Sequence, residues 1–357
     1  MDRVNRILSV NAGRGGYKAA REATKMIEEC RDNLLSLFHA ENNSDIVFTS
    51  SVTIAMNMIF QGFQFKEGDV VYLSPYEHNA VARALHLIEK EKKIIVKLLP
   101  LIPETLEIDM EKTEYLFSID HPVMVCMTMV SNVTGYILPI EELVRLSKSY
   151  DAVTVVDAAQ AAGLTPIDLC KIPIDILCFA GHKTLYGPFG VAGFALKRGV
   201  ELSVSIAGGT GSDSKNLNMP DNAPARYESS SPNIIAISGL LSSLKGLNVN
   251  EHFETIKALT NYAVEKLEKL DNIRLFIQNK DKHIGIISFA IEGYESNDIG
   301  SILDDEFDIA VRTGYHCAPF IHSYLGDEEY NGTVRIGLGM FNTKEEINAL
   351  YDALESL

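Results

Sequence analysis

The stretch Cys178–Gly190, CFAGHKTLYGPFG, sets Lys183 between a histidine and a glycine-rich turn, directly after the apolar run Ile174–Phe179. Most lysines are solvated surface groups, so this one gains meaning only from its company. Upstream, TVVDAAQ ends an apolar run with Asp157 and continues to Gln160. A carboxylate in that place is either a helix cap or a partner for a cationic ligand. Further back, FTSSVT sets Ser51, Val52 and Thr53 at the start of a predicted helix. Backbone N–H groups and the helix dipole bind phosphate at such a start, although Ser and Thr also serve there as plain caps. A phosphate cup, a carboxylate for a pyridinium nitrogen and an amine for a Schiff base are together the protein groups that pyridoxal phosphate needs. The amine's free pKa of about 10.4 must fall before it can attack a carbonyl. Partial burial and the neighbouring His182 both act in that direction.

Sulfur is the second chemical theme. The five cysteines, Cys30, Cys126, Cys170, Cys178 and Cys317, are scattered and form no CxxC pair. This pattern indicates a reducing cytoplasm and neither a disulfide framework nor a zinc site. Cys126 and Cys178 sit inside apolar runs and read as inert core residues. Cys30 lies on an amphipathic helical stretch and Cys170 precedes a lysine, with nothing to mark either as reactive. Cys317 differs: VRTGYHCAPF surrounds it with Arg312, Gly314, His316 and Pro319. A cationic, turn-rich setting is where a thiol pKa falls and thiolate becomes available.

These groups need a scaffold, and the apolar pattern supplies one. DIVFTS, DVVYLS, IIVKLLP, VMVCMTMVS, AVTVVDAAQ, IDILCFAG and VAGFALK read as strands. VTIAMNMIFQGF, NAVARALHLIEKEKK and IEELVRLSKSY between them read as helices. Buried strands alternating with helices predict an α/β domain with a largely parallel sheet, whose ligands gather at the carboxyl ends of the strands. From about Ile234 the pattern shifts to IIAISGLLSSLKGL and HFETIKALTNYAVEKLEKL as helices, HIGIISFAI and TVRIGLG as strands, and KEEINALYDALESL as a last helix. The expected organisation is an N-terminal segment 1–14, a large domain 15–233 and a smaller α+β domain 234–357. The stretch from GGTG to SSSPN reads as a long ordered loop joining the last two.

A length of 357 residues, 46% apolar and 22% charged, supports sizeable cores and argues against disorder. The formal charge of −16 repels nucleic-acid backbones and anionic membranes, so any phosphate must be held by local donors. The start has no signal-peptide core, and the longest apolar stretch, Val123–Val130, is too short to span a bilayer. A cytoplasmic protein is expected.

The phrases NAGRGGYKAA, YEHNAVAR, SNVTGYILPI, VVDAAQAAG, GHKTLYGP, RYESSSPN, VRTGYHCAP and VRIGLGMFNT occur in this order from Asn11 to Thr343. In this the chain resembles the cysteine desulfurase and selenocysteine lyase family of class V aminotransferase-fold enzymes. The resemblance implies the type I fold of pyridoxal phosphate-dependent transferases, with a mostly parallel seven-stranded sheet and helices on both faces. It also implies roles. Lys183 would carry the cofactor and His182 would touch its phosphate, with Ser51, Val52 and Thr53 as the cup. His78 would stack on the ring and move protons, Asn132 and Gln160 would contact the ring hydroxyl, and Asp157 would pair with the ring nitrogen. Thr210 would reach the phosphate of a neighbouring subunit, implying a homodimer. Arg335 would clamp the substrate carboxylate, with Asn132, Arg312 and Arg14 also on the substrate side.

The implied reaction gives L-alanine and a persulfide on Cys317: Lys183 removes the α-proton, and the Cys317 thiolate attacks the sulfur of L-cysteine or the selenium of L-selenocysteine. The compact RTGYHCAP form resembles the branch that hands sulfur to an acceptor protein. A β-lyase on cysteine conjugates, a transaminase and a non-catalytic relative stay open as alternatives. Three departures bear on this. Only ten residues precede Asn11, so the strand and turn that usually line part of the cleft are not in this sequence. Val52 and Ile54 thin the phosphate cup, and Ala180 stands where a serine is frequent. One lost charged hydrogen bond weakens binding about ten- to a hundred-fold, so cofactor binding is expected to survive.

Overall fold

The computed structural model describes residues 2–7, 10–12, 16–211 and 215–357. Two helices, α1 (Asp2–Ile7) and α2 (Lys18–Leu37), precede β1 (Ser44–Thr49), α3 (Val52–Gly62), β2 (Val70–Leu73) and α4 (Asn79–Lys92). The chain continues through β3 (Ile95–Leu98), α5 (Met110–Ile119), β4 (Pro122–Thr128), α6 (Ile140–Lys148), β5 (Val153–Asp157), β6 (Ile176–Ala180) and β7 (Ala192–Lys197). No described residue of 198–233 is in an α-helix or a strand. Then come α7 (Ile234–Leu244), α8 (Val249–Leu267), β8 (Ile273–Leu275), β9 (Ile286–Ile291), α9 (Ser296–Phe307) and β10 (Arg312–Gly314). The last elements are α10 (His322–Leu325), β11 (Thr333–Gly337) and α11 (Lys344–Glu355).

The large sheet has seven strands in the order β1-β7-β6-β5-β4-β2-β3. Only β7 runs against its neighbours, pairing antiparallel with β1 and β6. Strands β2, β4, β5 and β6 are apolar along nearly their whole length because helices cover both faces. On one face α3 and α4 bring Met56, Ile59, Val81 and Leu85 onto Cys126, Val155 and Cys178. On the other, Leu34 of α2, Leu143 of α6 and Ile237 of α7 join a core that runs on to Phe289 of β9, Leu303 of α9 and Leu350 of α11. Each fully buried Val, Leu, Ile, Phe or Met contributes about 1.5–3 kcal/mol, which makes these two cores the main stabilising term. Although α7 follows the long connection, it packs on α2 beside the large sheet.

The second sheet has four antiparallel strands in the order β10-β11-β9-β8. Gly135, in the turn after β4, brings the large sheet's loops onto it. Its φ is +76°, and a Cβ there would lie 2.3 Å from the Ile286 carbonyl oxygen of β9, so only glycine fits.

Because β1, β2, β4, β5 and β6 point the same way, their carboxyl ends share one edge of the sheet. The segments that follow them carry Ser51, His78, Asn132, Asp157 and Lys183. The connection holding Lys183 is tied at both ends, since Gly181 N donates to Val191 O at 3.0 Å and Gly187 N to Gly181 O at 2.7 Å. Part of the long connection is equally fixed: the buried Arg31 guanidinium donates to both oxygens of Glu228, at 2.8 and 2.5 Å. Phe48 N donates to the same carboxylate at 2.6 Å. Among the described residues no helix is long and apolar enough to cross a membrane.

Candidate active site

The lysine wall is built on the carboxyl edge. Burial pushes the Lys183 ammonium below the usual lysine range; Arg335 and Arg312 add to this and Asp157 opposes it. Asp157 is 4% exposed, and its Oδ1 accepts from Ala159 N at 2.9 Å. That is the geometry of a local cap, and it leaves Oδ2 without a hydrogen bond among the described residues. His78 caps α4: its Nδ1 accepts from Ala80 N at 3.0 Å. With Nδ1 committed as acceptor, the ring proton sits on Nε2 and the imidazole is neutral. Burial and then Lys183 lower its pKa, which agrees with that tautomer. His182 stacks on Phe189, ring centres 4.5 Å apart, and burial lowers its pKa as well.

At the start of α3 Ser51 acts as the cap, accepting from Ile54 N at 3.3 Å. The N–H groups of Val52 and Thr53 precede the first intrahelical bonds and stay open to an acceptor. Gln160 is half-buried, and its amide makes no hydrogen bond among the described residues. A neutralisable amine, a buried carboxylate with an open oxygen, a neutral imidazole and open helix-start N–H groups fit the donor and acceptor needs of pyridoxal phosphate. Thr210 lines another cavity, of about 570 Å³, with Thr49, Ser50 and Ser229. Arg14 lies outside the described residues.

The thiol wall comes from the small sheet. Arg312 and Arg335 are directly opposite in the β10–β11 ladder. Like charges so placed repel unless an anion sits between them. Burial, with Arg312 adding, pushes Arg335 down to about 10. Its Nη1 donates to Asn132 O at 2.7 Å, leaving its other donors for a ligand. Cys317 is exposed, and Arg312 Nη2 donates to its sulfur at 3.7 Å.

The backbone beneath the thiol is unusual. His316 and Cys317 both have left-handed φ, +47° and +59°, which costs of order 1–3 kcal/mol per non-glycine residue. Hydrogen bonds from the other wall compensate. Asn132 Nδ2 donates to His316 O at 2.8 Å, and Asn79 N donates to Cys317 O at 2.7 Å. These two bonds join the thiol wall to the lysine wall directly.

One sequence expectation changes here. The sequence sets His316 in the cationic surroundings of Cys317, but it is only 3% exposed, and its Nε2 lies 3.1 Å from Thr333 O and 2.8 Å from Thr333 Oγ1. Burial, helped by Arg335, pushes its pKa down to about 3, so it is uncharged at neutral pH. The cations near the thiol are Arg312 and Arg335. Burial also raises the Cys126 and Cys178 thiols well above the ordinary range, as their apolar settings implied.

Sequence reasoning did not single out Asn79, Thr333 or Glu77. Glu77 is fully buried; its Oε1 accepts from Ser74 Oγ at 2.6 Å and Thr128 N at 2.5 Å, while Oε2 is buried without a partner. Burial, with Asp157 adding, raises its pKa from 4.5 to about 8. Its only signal in the sequence was its place next to His78.

The profile of the Aminotransferase class-V family matches residues 2–350. The chain belongs to this family of pyridoxal phosphate-dependent enzymes. It is 31% identical to a probable cysteine desulfurase of Pyrococcus abyssi over 97% of this chain and 87% of that protein. It is 29% identical to the cysteine desulfurase of Wigglesworthia glossinidia brevipalpis, over 96% of this chain and 84% of that one. Among solved structures, the apo cysteine desulfurase of Thermococcus onnurineus NA1 superposes with a TM-score of 0.90 at 27% identity, covering 99% of this chain and 89% of that one.

Proposed function

We propose that this chain is a pyridoxal phosphate-dependent cysteine desulfurase that takes sulfur from L-cysteine, leaves it as a persulfide on Cys317 and releases L-alanine. The observation that carries the reading is the pairing of a buried, depressed-pKa amine at Lys183 with an exposed thiol at Cys317 beside opposed Arg312 and Arg335. The relatives' names favour this chemistry over a β-lyase, a transaminase or a non-catalytic role.

Bound at this site, pyridoxal phosphate supplies a ring that stabilises negative charge at the substrate's α-carbon. Lys183 Nζ would hold the cofactor at rest and, when free of it, would accept the α-proton. Asp157 Oδ2 would hold the ring nitrogen, Asn132 and Gln160 would meet the ring hydroxyl, and the start of α3 together with His182 would hold the phosphate. Arg335 and Arg312 bind the substrate carboxylate, a bidentate task that suits guanidinium. The Cys317 thiolate forms a bond to the substrate sulfur as the carbon–sulfur bond breaks. The electron pair of that bond stays with the β-carbon, which takes a proton, and His78 Nε2–H would relay one.

Two finer readings go with this. A homodimer would let Thr210 serve the partner's phosphate. An acceptor protein would take sulfur from Cys317 through the cavity of about 610 Å³ that Cys317, Asn79, Arg83 and Tyr315 line with the apolar Leu98 and Phe320. The scattered free thiols suit a reducing compartment such as the cytoplasm. L-Selenocysteine is the second substrate to try. The test is the release of sulfide and alanine from L-cysteine with a thiol reductant, wild type beside Cys317→Ala. Equal turnover in that variant would overturn the reading in favour of elimination without a persulfide.

A further inference from the structure

We propose that His322 and Asp327 form a positioning dyad for Cys317, fixing the turn on which the thiol is displayed. The reaction affected is the desulfurase step proposed above; the structural part stands on geometry alone.

Tyr315 O accepts from Ala318 N at 3.0 Å, closing a four-residue turn whose central residues are His316 and Cys317. Both have positive φ, a turn type that glycine, asparagine and aspartate favour. A His-Cys pair has weak intrinsic preference for it, so the turn needs outside support. Asn132 and Asn79 hold the carbonyls of His316 and Cys317. The carbonyl of Tyr315 is held from the third side, by His322 Nε2 at 3.0 Å.

A carbonyl only accepts, so Nε2 carries a proton. The other ring nitrogen, Nδ1, lies 2.6 Å from Asp327 Oδ2. A carboxyl group behind an imidazole fixes the orientation of the ring. The pair is screened from water, with His322 5% and Asp327 0% exposed. Asp327 Oδ1 is buried with no partner, so the carboxylate's one hydrogen bond within the described residues is to His322. Among the described residues, the dyad's only side-chain hydrogen bond beyond itself is the one to Tyr315. The Tyr315 ring meets the His322 ring edge-on at 5.0 Å, which locks the imidazole from the side. A buried pair that reaches the backbone two residues before the nucleophile by a hydrogen bond, and the His316 ring next to it at 6.2 Å, acts on that nucleophile's position.

The test uses holoenzyme of wild type, His322→Leu, Asp327→Ala and Asp327→Asn. The first readout is hydrogen–deuterium exchange at the Ala318 amide, which needs no turnover. The second is single-turnover persulfide formation on Cys317 with L-cysteine, read by mass spectrometry. His322→Leu is expected to speed the exchange and slow persulfide formation, each about tenfold, the scale of one lost buried hydrogen bond. The substrate concentration for half-maximal rate should stay within about twofold, because Arg335 is untouched. Asp327→Ala should act in the same direction, and it decides the matter if His322→Leu does not fold. Asp327→Asn should rescue, since its amide can donate to Nδ1 and keep Nε2–H on Tyr315. Unchanged exchange and persulfide rates in His322→Leu or Asp327→Ala, even with a lower melting temperature, overturn the proposal. Faster exchange with an unchanged persulfide rate overturns the positioning role. A wild type that forms no persulfide sinks the desulfurase reading, and the exchange arm then still decides whether the dyad holds the turn.

Discussion

The two walls of the candidate site set an amine and a thiol in opposite surroundings. Lys183 sits where burial and nearby guanidiniums destabilise its charged form, and this moves it toward the neutral amine that attacks carbonyls. The same burial would disable a thiol, as Cys126 and Cys178 demonstrate on the sheet that carries Lys183. Cys317 is therefore lifted out of the core on a turn, with Arg312 within reach of its sulfur. An amine nucleophile gains from a dry strand end, whereas a thiol nucleophile needs exposure and a cation. One fold provides both by drawing the first from a parallel sheet and the second from an antiparallel one.

The strongest way to break this comparison is Lys183→Ala. It should end borohydride fixation of the cofactor and lower sulfide release roughly a thousand-fold or more; a loss below tenfold would mean another group does the work. Cys317→Ala should lower sulfide release roughly a hundred-fold while L-cysteine still shifts the cofactor's visible absorbance. Loss of that shift as well would mean the walls are not separable. Arg335→Lys should raise KM for L-cysteine about tenfold and leave kcat within about threefold, as expected when a bidentate clamp becomes a point charge. Steady-state kinetics checks it, and an unchanged KM would place the carboxylate elsewhere.

The smallest effect concerns Glu77, whose pKa rises from 4.5 unfolded to about 8 folded. The native state keeps a proton that the unfolded chain gives up, so this group's contribution is full below about pH 4.5 and is lost as pH climbs toward 8. Melting temperature against pH should thus fall less steeply between pH 5 and 8 in Glu77→Gln than in wild type. Parallel curves would mean that Glu77 is not the group responsible.

All seven strands of the large sheet were legible because each is a run rich in β-branched or apolar residues, and the central ones are buried on both faces while the edge strand β3 is not. The gathering of Ser51, His78, Asn132, Asp157 and Lys183 followed from strand direction alone. What escaped were short or weakly patterned elements. Neither β8 nor β10 has more than three residues, and β10 ends in a glycine, so neither shows a period. Helix α5 carries mixed faces, and α9, although it buries Ser296, Ile299 and Leu303 on one face, is masked in the sequence by its acidic residues. The neutrality of His316 was hidden for another reason. It depends on Thr333, seventeen residues away, and on burial that no local pattern encodes. The capping roles of Asp157 and Ser51 were weighed in the sequence, and both occur beside the open donors and acceptors that suit a ligand.

The one reversed strand of the large sheet has a consequence for inheritance of change. The lysine-bearing connection spans two neighbours in the sheet, and β7 also sets the register of β1, which leads straight into the helix start at Val52. An insertion or deletion between Gly181 and Val191 would therefore disturb both pairings of β7 at once and displace the Lys183 amine and the amides at the start of α3 together. Length variation should be tolerated far better in the connection after β7 than in this one.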